Sequence, residues 1–327
     1  MEKRTLGRSE YRVHPLGFGA RGMGGDSWLD VDPRDAQRTL YEALDAGLDF
    51  VDTARADGDG LAEKLIGEVI RDLRARDWCV VATKVPPVDQ RWPADPASKL
   101  SEVFPADYLV HSVERSLRAL RAEVLGIAQL HVWHDSWLSQ SAWPDLRGTM
   151  ERLVQQGKVL HWGVSIGDHD PDSAMAIVDD PLIATIQTVY NIYDPSSARQ
   201  LFARAREHQV GVIARCPFDE GGLTGALHRE SRFPDGDFRA GYFRGERLIE
   251  AVERAESLAR LCGGEARTLA ELALRFCLSH PDVAVTIAGM RRREHLQANL
   301  QAAAEGPLSA DMLDRLREFA WDKNWYR

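Results

Sequence analysis

Three side chains capable of acid–base chemistry stand near the ends of successive apolar segments in the first half of the chain. They are Asp52, Lys84 and His131. A lysine inside such a segment is costly to bury unless an acid neutralises it. Asp52 and Lys84 can therefore be a purely structural ion pair beside a core histidine, or the three groups can form a catalytic site. The spacing alone leaves both interpretations open.

Short apolar segments alternate with segments of helical periodicity along the whole chain. Several of the short segments are apolar nearly throughout, which is typical of parallel strands buried on both faces. Eight strand–helix units predict an α/β fold, a closed (β/α)8 TIM barrel. No G-x-G-x-x-G follows the early strands, which argues against an open dinucleotide-binding sheet. The predicted strands are residues 13–20, 49–54, 79–85, 126–133, 159–166, 183–191, 211–218 and 283–289.

Helices are predicted between these strands and after the last one. We expect a single domain over residues 1–327, with long strand-to-helix loops at about 88–104, 134–146 and 219–245. In a barrel such loops lie at the carboxyl ends of the strands and build the active site. The third loop is rich in glycine, arginine and aromatic residues, which suits a lid over a ligand. The predicted helices are residues 33–46, 62–73, 106–120, 150–156, 173–178, 196–208, 248–262, 268–279, 292–303 and 310–321.

Composition narrows the classes of partner. The 327 residues include 41 Lys and Arg against 50 Asp and Glu, a net charge of −9. This acidic balance argues against nucleic acid or an anionic membrane surface as the main partner and leaves a small-molecule substrate. No apolar run approaches the roughly 18 residues of a membrane span, and no signal peptide is visible, so we expect a cytoplasmic protein. The four cysteines show no metal-ligand spacing, and we expect reduced thiols and no metal.

Seven sequence blocks, in order over nearly the whole chain, resemble the aldo-keto reductase family. Each block is weakly specific alone, and the ordered set is strongly specific. The blocks are Phe50-Val51-Asp52-Thr53-Ala54 with Gly58 and Glu63, Ala82-Thr83-Lys84, Gln129-Leu130-His131, Gly157-Lys158-Val159 with Gly163-Val164-Ser165, Gln187 with Asn191, Pro217 with Gly221-Gly222-Leu223-Thr224-Gly225, and Ala288-Gly289-Met290-Arg291 through Asn299.

The resemblance implies a reductase of carbonyl compounds that uses NADPH, or the reverse reaction. The family's catalytic set is Asp, Tyr, Lys and His, of which Asp52, Lys84 and His131 match. The tyrosine does not match. The family pattern is Asp-Thr-Ala-x-x-Tyr-Gly, and this chain has Asp57 at the tyrosine position, between Ala56 and Gly58.

Asp57 changes the acid–base chemistry that the site can perform. A phenol keeps its proton at neutral pH, whereas an ordinary carboxylic acid has lost it. Proximity to Asp52 can raise the pKa of one carboxyl group. Asp57 can therefore be a protonated substitute acid, an ionised base suited to α-proton abstraction, dehydration or epimerisation, or a solvated loop residue without a catalytic role.

The resemblance also assigns the cofactor site. Ser165 enters the nicotinamide site, but the following Ile166 stands where the family usually has asparagine. The arginines that begin with Arg291 indicate an anion, which favours NADP over NAD, although a solvated helix face is the alternative. The expected cofactor-binding residues are Ser165, Gln187, Arg215, Pro217, Gly222, Leu223, Gly289, Arg291, His295 and Asn299.

Aromatic residues crowd the strand-end loop after residue 131. Trp133 and His134 can line an aromatic substrate pocket, or the tryptophans can simply pack under the loop. The leading interpretation is an NADP-binding enzyme similar to aldo-keto reductases, acting on a small carbonyl compound or alcohol. The alternatives are a non-hydrolytic lyase, dehydratase or isomerase that uses Asp57, Lys84 and His131, and a catalytically silent nucleotide-binding regulatory protein.

Overall fold

Eight parallel strands close into a barrel in the computed structural model, which describes residues 2–30, 32–91 and 95–326. A short antiparallel hairpin, β1 (Arg4–Thr5) and β2 (Arg12–Val13), precedes the barrel. Each barrel strand pairs with the next in sequence, and the last pairs with the first. The barrel strands are β3 (Leu16–Gly19), β4 (Phe50–Asp52), β5 (Val80–Val85), β6 (Leu125–Trp133), β7 (Val159–Ile166), β8 (Ile183–Val189), β9 (Gly211–Arg215) and β10 (Val283–Gly289).

The predicted (β/α)8 barrel is confirmed, and all eight predicted strands are present. The clearest difference is at the first strand, where Val13 belongs to the hairpin and the barrel strand begins at Leu16. Pro15 separates the two because it has no N–H to donate to a ladder, and its carbonyl accepts the N–H of Thr286 at 2.7 Å. The extent of a single domain over residues 1–327 stays a prediction.

Eleven α-helices lie in the described part of the chain, and most follow the predicted ranges. The predicted helix at 173–178 is wrong, since only two short 3-10 turns form there, Pro171–Ala174 and Ile177–Asp179. The helices are α1 (Pro33–Asp45), α2 (Leu61–Asp72), α3 (Leu100–Val103), α4 (Ala106–Ala119), α5 (Trp143–Gln155), α6 (Leu201–Glu207), α7 (Phe238–Tyr242), α8 (Glu246–Ala259), α9 (Leu269–Ser279), α10 (Arg293–Ala304) and α11 (Ala310–Leu316).

The predicted loops contain more regular structure than expected. The second loop ends early because α5 begins at Trp143, with a proline in its first turn, where the missing N–H costs no helical hydrogen bond. The third loop contains α7, and its aromatic residues Tyr242 and Phe243 are buried. The first loop contains α3, and residues 92–94 of that loop lie outside the described residues.

The amino-terminal hairpin closes one end of the barrel. Leu6 and Val13 are fully buried and belong to one cluster with the strand residues Phe50, Ile127 and Val285. This apolar plug leaves the other end, where the strands finish, for polar side chains. None of the described helices combines the length and apolar character needed to cross a bilayer.

Candidate active site

A buried ion pair occupies the barrel mouth. The Lys84 ammonium at the end of β5 donates to Asp52 Oδ2 at 2.7 Å and to the Thr53 carbonyl at 2.8 Å. Gln187 of β8 donates its Nε2–H to the other Asp52 oxygen at 2.7 Å. Asp52 and Lys84 are 6% and 5% exposed, so neither charge relies on bulk water. The predicted proximity of Asp52 and Lys84 is thus present, and Gln187 joins them.

Asp57 lies in the turn Asp57–Gly60 that follows β4. Its Oδ2 accepts the Ala54 N–H at 2.9 Å, which holds the carboxyl group over the end of the strand. Burial raises the pKa of Asp57 from its ordinary value of 3.8 to about 6; the positive charges of Lys84 and Arg21 limit the rise, and Asp52 adds to it. A solvated loop residue would not show this shift. At a pKa of about 6, the acid and base forms of the Asp57 carboxyl group are both populated near that pH.

His131 of β6 contributes a neutral imidazole to the same end of the barrel. Burial holds the pKa of His131 well below its usual value, and the positive charges of Lys84, Arg215 and Arg21 lower it further. The ring can make hydrogen bonds at neutral pH but carries no charge. Among the described residues, no group of three or more His, Cys, Asp or Glu side chains is placed to bind a metal.

Arg21 is a site residue that the sequence reasoning missed. It follows β3, and its guanidinium lies over the rings of Trp28 at 4.9 Å and Phe238 at 4.5 Å. One of its nitrogens is 3.5 Å from the Glu220 carboxylate. Arg21 comes just after the end of a strand, as the predicted site residues Asp52 and Lys84 stand near strand ends. The same criterion would have identified Arg21 from the sequence.

A second missed residue, Tyr326, reaches the site from the carboxyl-terminal segment. Its hydroxyl donates to Glu220 Oε1 at 2.8 Å. Burial, with the nearby Cys216 and Glu220, raises the pKa of Tyr326 well above its usual value, so the phenol keeps its proton. Nothing in the local sequence connects residue 326 with residue 220, and no sequence pattern would have revealed the contact.

No hydroxyl group of the described residues makes a hydrogen bond with the Lys84 ammonium. The hydrogen-bond acceptors of its ammonium are Asp52 and Thr53. Tyr242, which lies in the predicted lid, instead donates its hydroxyl to Asp219 Oδ1 at 3.0 Å. Lys323 pairs with the other oxygen of Asp219 at 2.7 Å.

The residues predicted to bind the nicotinamide differ in their hydrogen bonding. Ser165 is fully buried, and its Oγ has no hydrogen-bond partner among the described residues. Gln187, by contrast, uses its amide N–H on Asp52. Arg215 donates to Asp168 Oδ1 at 2.6 Å. Burial disfavours the Arg215 charge, but the Asp168 carboxylate outweighs that cost, and the pKa of Arg215 is raised. Asp168, two residues beyond β7, was not predicted.

The loop after β9 contains the predicted residues Pro217, Gly222 and Leu223, all buried. Gly222 is required by a close approach, since a Cβ there would lie 2.9 Å from Asp219 Oδ2. The carboxylates of Asp219 and Glu220 are unexpected in a loop that the resemblance places beside phosphate. Lys323 neutralises the first, and Arg21 faces the second.

The arginines at the start of α10 meet a counter-ion that was not foreseen. Arg291 donates to Asp30 Oδ1, Arg292 donates to the Asp30 carbonyl at 3.1 Å, and Arg239 pairs with the same carboxylate at 3.0 Å. Three cations thus converge on one acid. The Arg292 side chain remains half-exposed, so it can also donate hydrogen bonds to a bound anion.

The other predicted adenosine-side residues differ in accessibility. Gly289 is exposed, with open space where a Cβ would lie, and His295 is exposed. Asn299 is 6% exposed, and its Nδ2 has no hydrogen-bond partner among the described residues. A buried amide without a partner costs free energy unless a ligand or water satisfies it.

Trp133, one of the two residues predicted to line a substrate pocket, lies in a packed aromatic cluster. Trp133 is only 1% exposed, and its ring makes edge contacts with Trp137 at 5.6 Å and lies 5.1 Å from Trp143. Its indole N–H donates to Asp135. This packing favours the alternative in which Trp133 stabilises the layer under the loop, and a pocket role for Trp133 stays a prediction. His134 remains partly exposed and accepts the Ser136 N–H at 3.1 Å.

Replacing Trp133 with alanine should affect stability and leave substrate affinity unchanged. Removing a fully buried indole costs about 3–5 kcal/mol of the free energy of unfolding. Urea denaturation and the KM of a turned-over aldehyde measure the two effects. A tenfold increase in KM with unchanged stability would restore the pocket interpretation.

Comparisons with known proteins agree with this architecture. A profile of the Aldo/keto reductase family matches residues 15–320. Aldo-keto reductase YhdN of Bacillus subtilis is 26% identical over 91% of this chain and 87% of its own length. The holo form of aldo-keto reductase AKR11C1 from Bacillus halodurans superimposes with a TM-score of 0.76 at 28% identity, covering 99% of this chain and 97% of that one. An aldo-keto reductase from Klebsiella pneumoniae in complex with NADPH gives 0.69 at 26% identity, covering 99% and 98%. The chain belongs to the aldo/keto reductase family.

Proposed function

We propose that this protein is an NADP-dependent oxidoreductase that interconverts a small carbonyl compound and its alcohol, with Asp57 as the proton-transferring group. The observation that carries the proposal is the buried Lys84–Asp52 pair at the barrel mouth, with the Asp57 carboxyl group on the turn that follows β4. Burial raises the pKa of this carboxyl group to about 6, which suits proton transfer near neutral pH. Within the Lys84–Asp52 pair, the Lys84 ammonium places a positive charge where negative charge develops on the reacting oxygen.

The residues present fit a nicotinamide cofactor. The fully buried Ser165 hydroxyl and the buried Asn299 amide each have an unsatisfied polar atom at the two ends of the expected site. Arg291 and Arg292 supply positive charge for a cofactor phosphate, provided that they can donate to it as well as to Asp30. The similar Klebsiella enzyme in complex with NADPH supports the same choice. When bound, the cofactor supplies or accepts a hydride.

The protein's own groups handle the proton. In the reducing direction, protonated Asp57 donates its proton to the carbonyl oxygen, and the Lys84 ammonium stabilises the charge on that oxygen. In the oxidising direction, ionised Asp57 takes the alcohol proton. Neutral His131 donates a hydrogen bond to the substrate oxygen and orients it.

Cofactor binding and turnover can be separated experimentally. The chain has nine tryptophans, and quenching of their fluorescence by NADPH or NADH measures binding of each. Absorbance of the reduced nicotinamide, followed with a panel of aldehydes, measures turnover. We expect tighter binding of NADPH than of NADH and aldehyde-dependent oxidation. Binding without turnover would instead favour the regulatory alternative, and chemistry on an alcohol or sugar without any nicotinamide would favour the lyase or isomerase.

The pH dependence of kcat/KM should differ between the two directions. Reduction requires protonated Asp57, so its rate should fall tenfold per pH unit above about pH 6. Oxidation requires the ionised form and should rise to a plateau above the same pH. Profiles measured in constant-ionic-strength buffers test this. A reduction rate that stays constant from about pH 5 to about pH 9 would exclude Asp57 as the acid.

A further inference from the structure

A cavity of about 390 Å³ lies between α2 and α4, outside the barrel mouth. Its lining contains five cations and one acid, although the whole chain carries a net charge of −9. This local excess of positive charge contrasts with the negative net charge of the whole chain. The charged lining residues are Arg55, Lys64, Arg115, Arg118, Arg121 and Asp59.

The positive charges of this cavity are incompletely neutralised. Arg55 and Arg115 share one carboxylate, that of Asp59, at 2.9 and 3.2 Å. Arg121 is 3.9 Å from Glu68, which also pairs with Arg34. Neither Lys64 nor Arg118 has a side-chain hydrogen bond or an ion pair with any residue that the structure describes. The first turn of α2 and the last turn of α4 both border the cavity, so their opposite dipoles largely cancel and the side-chain charges determine its potential.

Arg55 gives the cavity a fixed anchor. It is 8% exposed, and its guanidinium packs against Gly60, where a Cβ would collide with it. Glu63 lies 3.7 Å away on the inner side, and the Arg55 Nε has no hydrogen-bond partner among the described residues. A guanidinium held in this way presents its donors without a large loss of side-chain entropy on binding.

We propose that this cavity binds the phosphate group of a small molecule, either inorganic phosphate or a phosphate monoester. The phosphate oxygens would accept charge-assisted hydrogen bonds from Arg55, Arg115 and Arg118. The ligand competes with Asp59 for the first two of these arginines. Its recognition is independent of the nicotinamide site.

Binding would be felt at the active site through one short loop. Residues Gly58, Asp59 and Gly60 have positive φ angles of 60°, 48° and 88°, and the ion pairs with Arg55 and Arg115 tether the left-handed Asp59. The same loop contains Asp57, and the Arg55 N–H donates to the Lys84 carbonyl at 3.1 Å. Displacing Asp59 would therefore act on Asp57 through the backbone that joins them, while the hydrogen bond from the Ala54 N–H stays in place.

Isothermal titration at constant ionic strength, with inorganic phosphate and glycerol phosphate as probes and chloride as the balancing anion, tests the proposal. We expect binding of at least one probe in the millimolar range or tighter, weakened about tenfold or more in the double variant Lys64→Gln/Arg118→Gln. Arg260→Gln/Arg315→Gln is the matched control, since it also removes two positive charges, and both arginines are exposed and make no ion pair with the described residues. NADPH binding should be unchanged in all variants, which separates this site from the proposed cofactor site.

The outcomes are decisive in both directions. Binding of either probe or of both supports the site if the double variant loses it, with the preferred probe showing whether the ligand is free phosphate or an ester. Unchanged affinity in the double variant overturns the proposal. No heat with either probe at millimolar concentration overturns the proposal. An equal loss in Arg260→Gln/Arg315→Gln also overturns it, because net charge would then explain the binding.

Discussion

Asp57→Asn should reduce kcat for aldehyde reduction by about 10²–10⁴-fold, the usual contribution of a positioned acid or base. Asparagine has nearly the same shape, and its oxygen can still accept the Ala54 N–H that holds the side chain in place. It cannot give up or take a proton at any relevant pH. Steady-state kinetics near pH 6 measure the effect, and NADPH binding by tryptophan quenching should change little.

Stability shows whether the Asp57→Asn protein is correctly folded. Because the folded-state pKa of Asp57 is raised, ionisation destabilises the fold, and this penalty develops between about pH 4 and pH 6. The substitution removes the penalty, so the variant should be more stable than the wild type at pH 8, by about 1–2 kcal/mol after allowance for partial exposure, and equal to it at pH 4. Kinetic loss without this pattern would indicate a rearranged loop.

Two further variants test whether the Asp57 carboxyl group, rather than a tyrosine hydroxyl, is the proton donor in reduction. Tyr326→Phe removes a hydroxyl that donates to Glu220 and should leave the pH dependence of reduction unchanged. Asp57→Tyr restores the family's usual acid. If Asp57 only marks a disabled reductase, Asp57→Tyr should raise aldehyde reduction by orders of magnitude and Asp57→Asn should have no effect, which is the opposite of the result expected here.

Lys84→Met should destabilise the fold by about 3–5 kcal/mol, the cost of leaving one member of a buried ion pair without its partner. Asp52 is 6% exposed and, among the residues that the structure describes, would retain only the Gln187 amide as a side-chain partner. The Thr53 carbonyl would also lose its donor. Urea denaturation at neutral pH measures the loss, and aldehyde reduction should fall in the same variant.

The double variant Asp52→Asn/Lys84→Met is the control for Lys84→Met. Removing both charges should recover much of the lost stability without recovering activity, because the energetic cost comes from the isolated carboxylate. Equal stability of the wild type and Lys84→Met would mean that water reaches Asp52, which would contradict the buried pair.

The sequence predicts the barrel well because each strand is an apolar segment covered on both faces. The same reasoning places Asp52 and Lys84 together, since adjacent parallel strands end at one face. It does not predict that Gln187 turns to Asp52, because an amide can serve either a carboxylate or a ligand with equal local propensity. It also misses the contact between Tyr326 and Glu220, which brings together residues separated by 106 positions.

Counter-ions were the other source of error. The arginines from Arg291 onward predict a cofactor phosphate, which stays a prediction, and the acid that meets them in the structure is Asp30, from the loop before α1. Likewise, the unusual pKa of Asp57 depends on burial by surrounding chain, which no residue spacing reports. Long-range neutralisation and desolvation require coordinates, whereas strand ends can be found from the sequence.

Proton transfer by Asp57 depends on its carboxyl group titrating near pH 6 at the barrel mouth. Carbon-13 NMR of the protein labelled at aspartate side-chain carbons, with the Asp57→Asn protein used to assign the signal, measures this directly. A carboxyl resonance that titrates with a midpoint near pH 6 and is absent from the variant is the predicted result. A midpoint at or below the ordinary value of 3.8 would contradict the account.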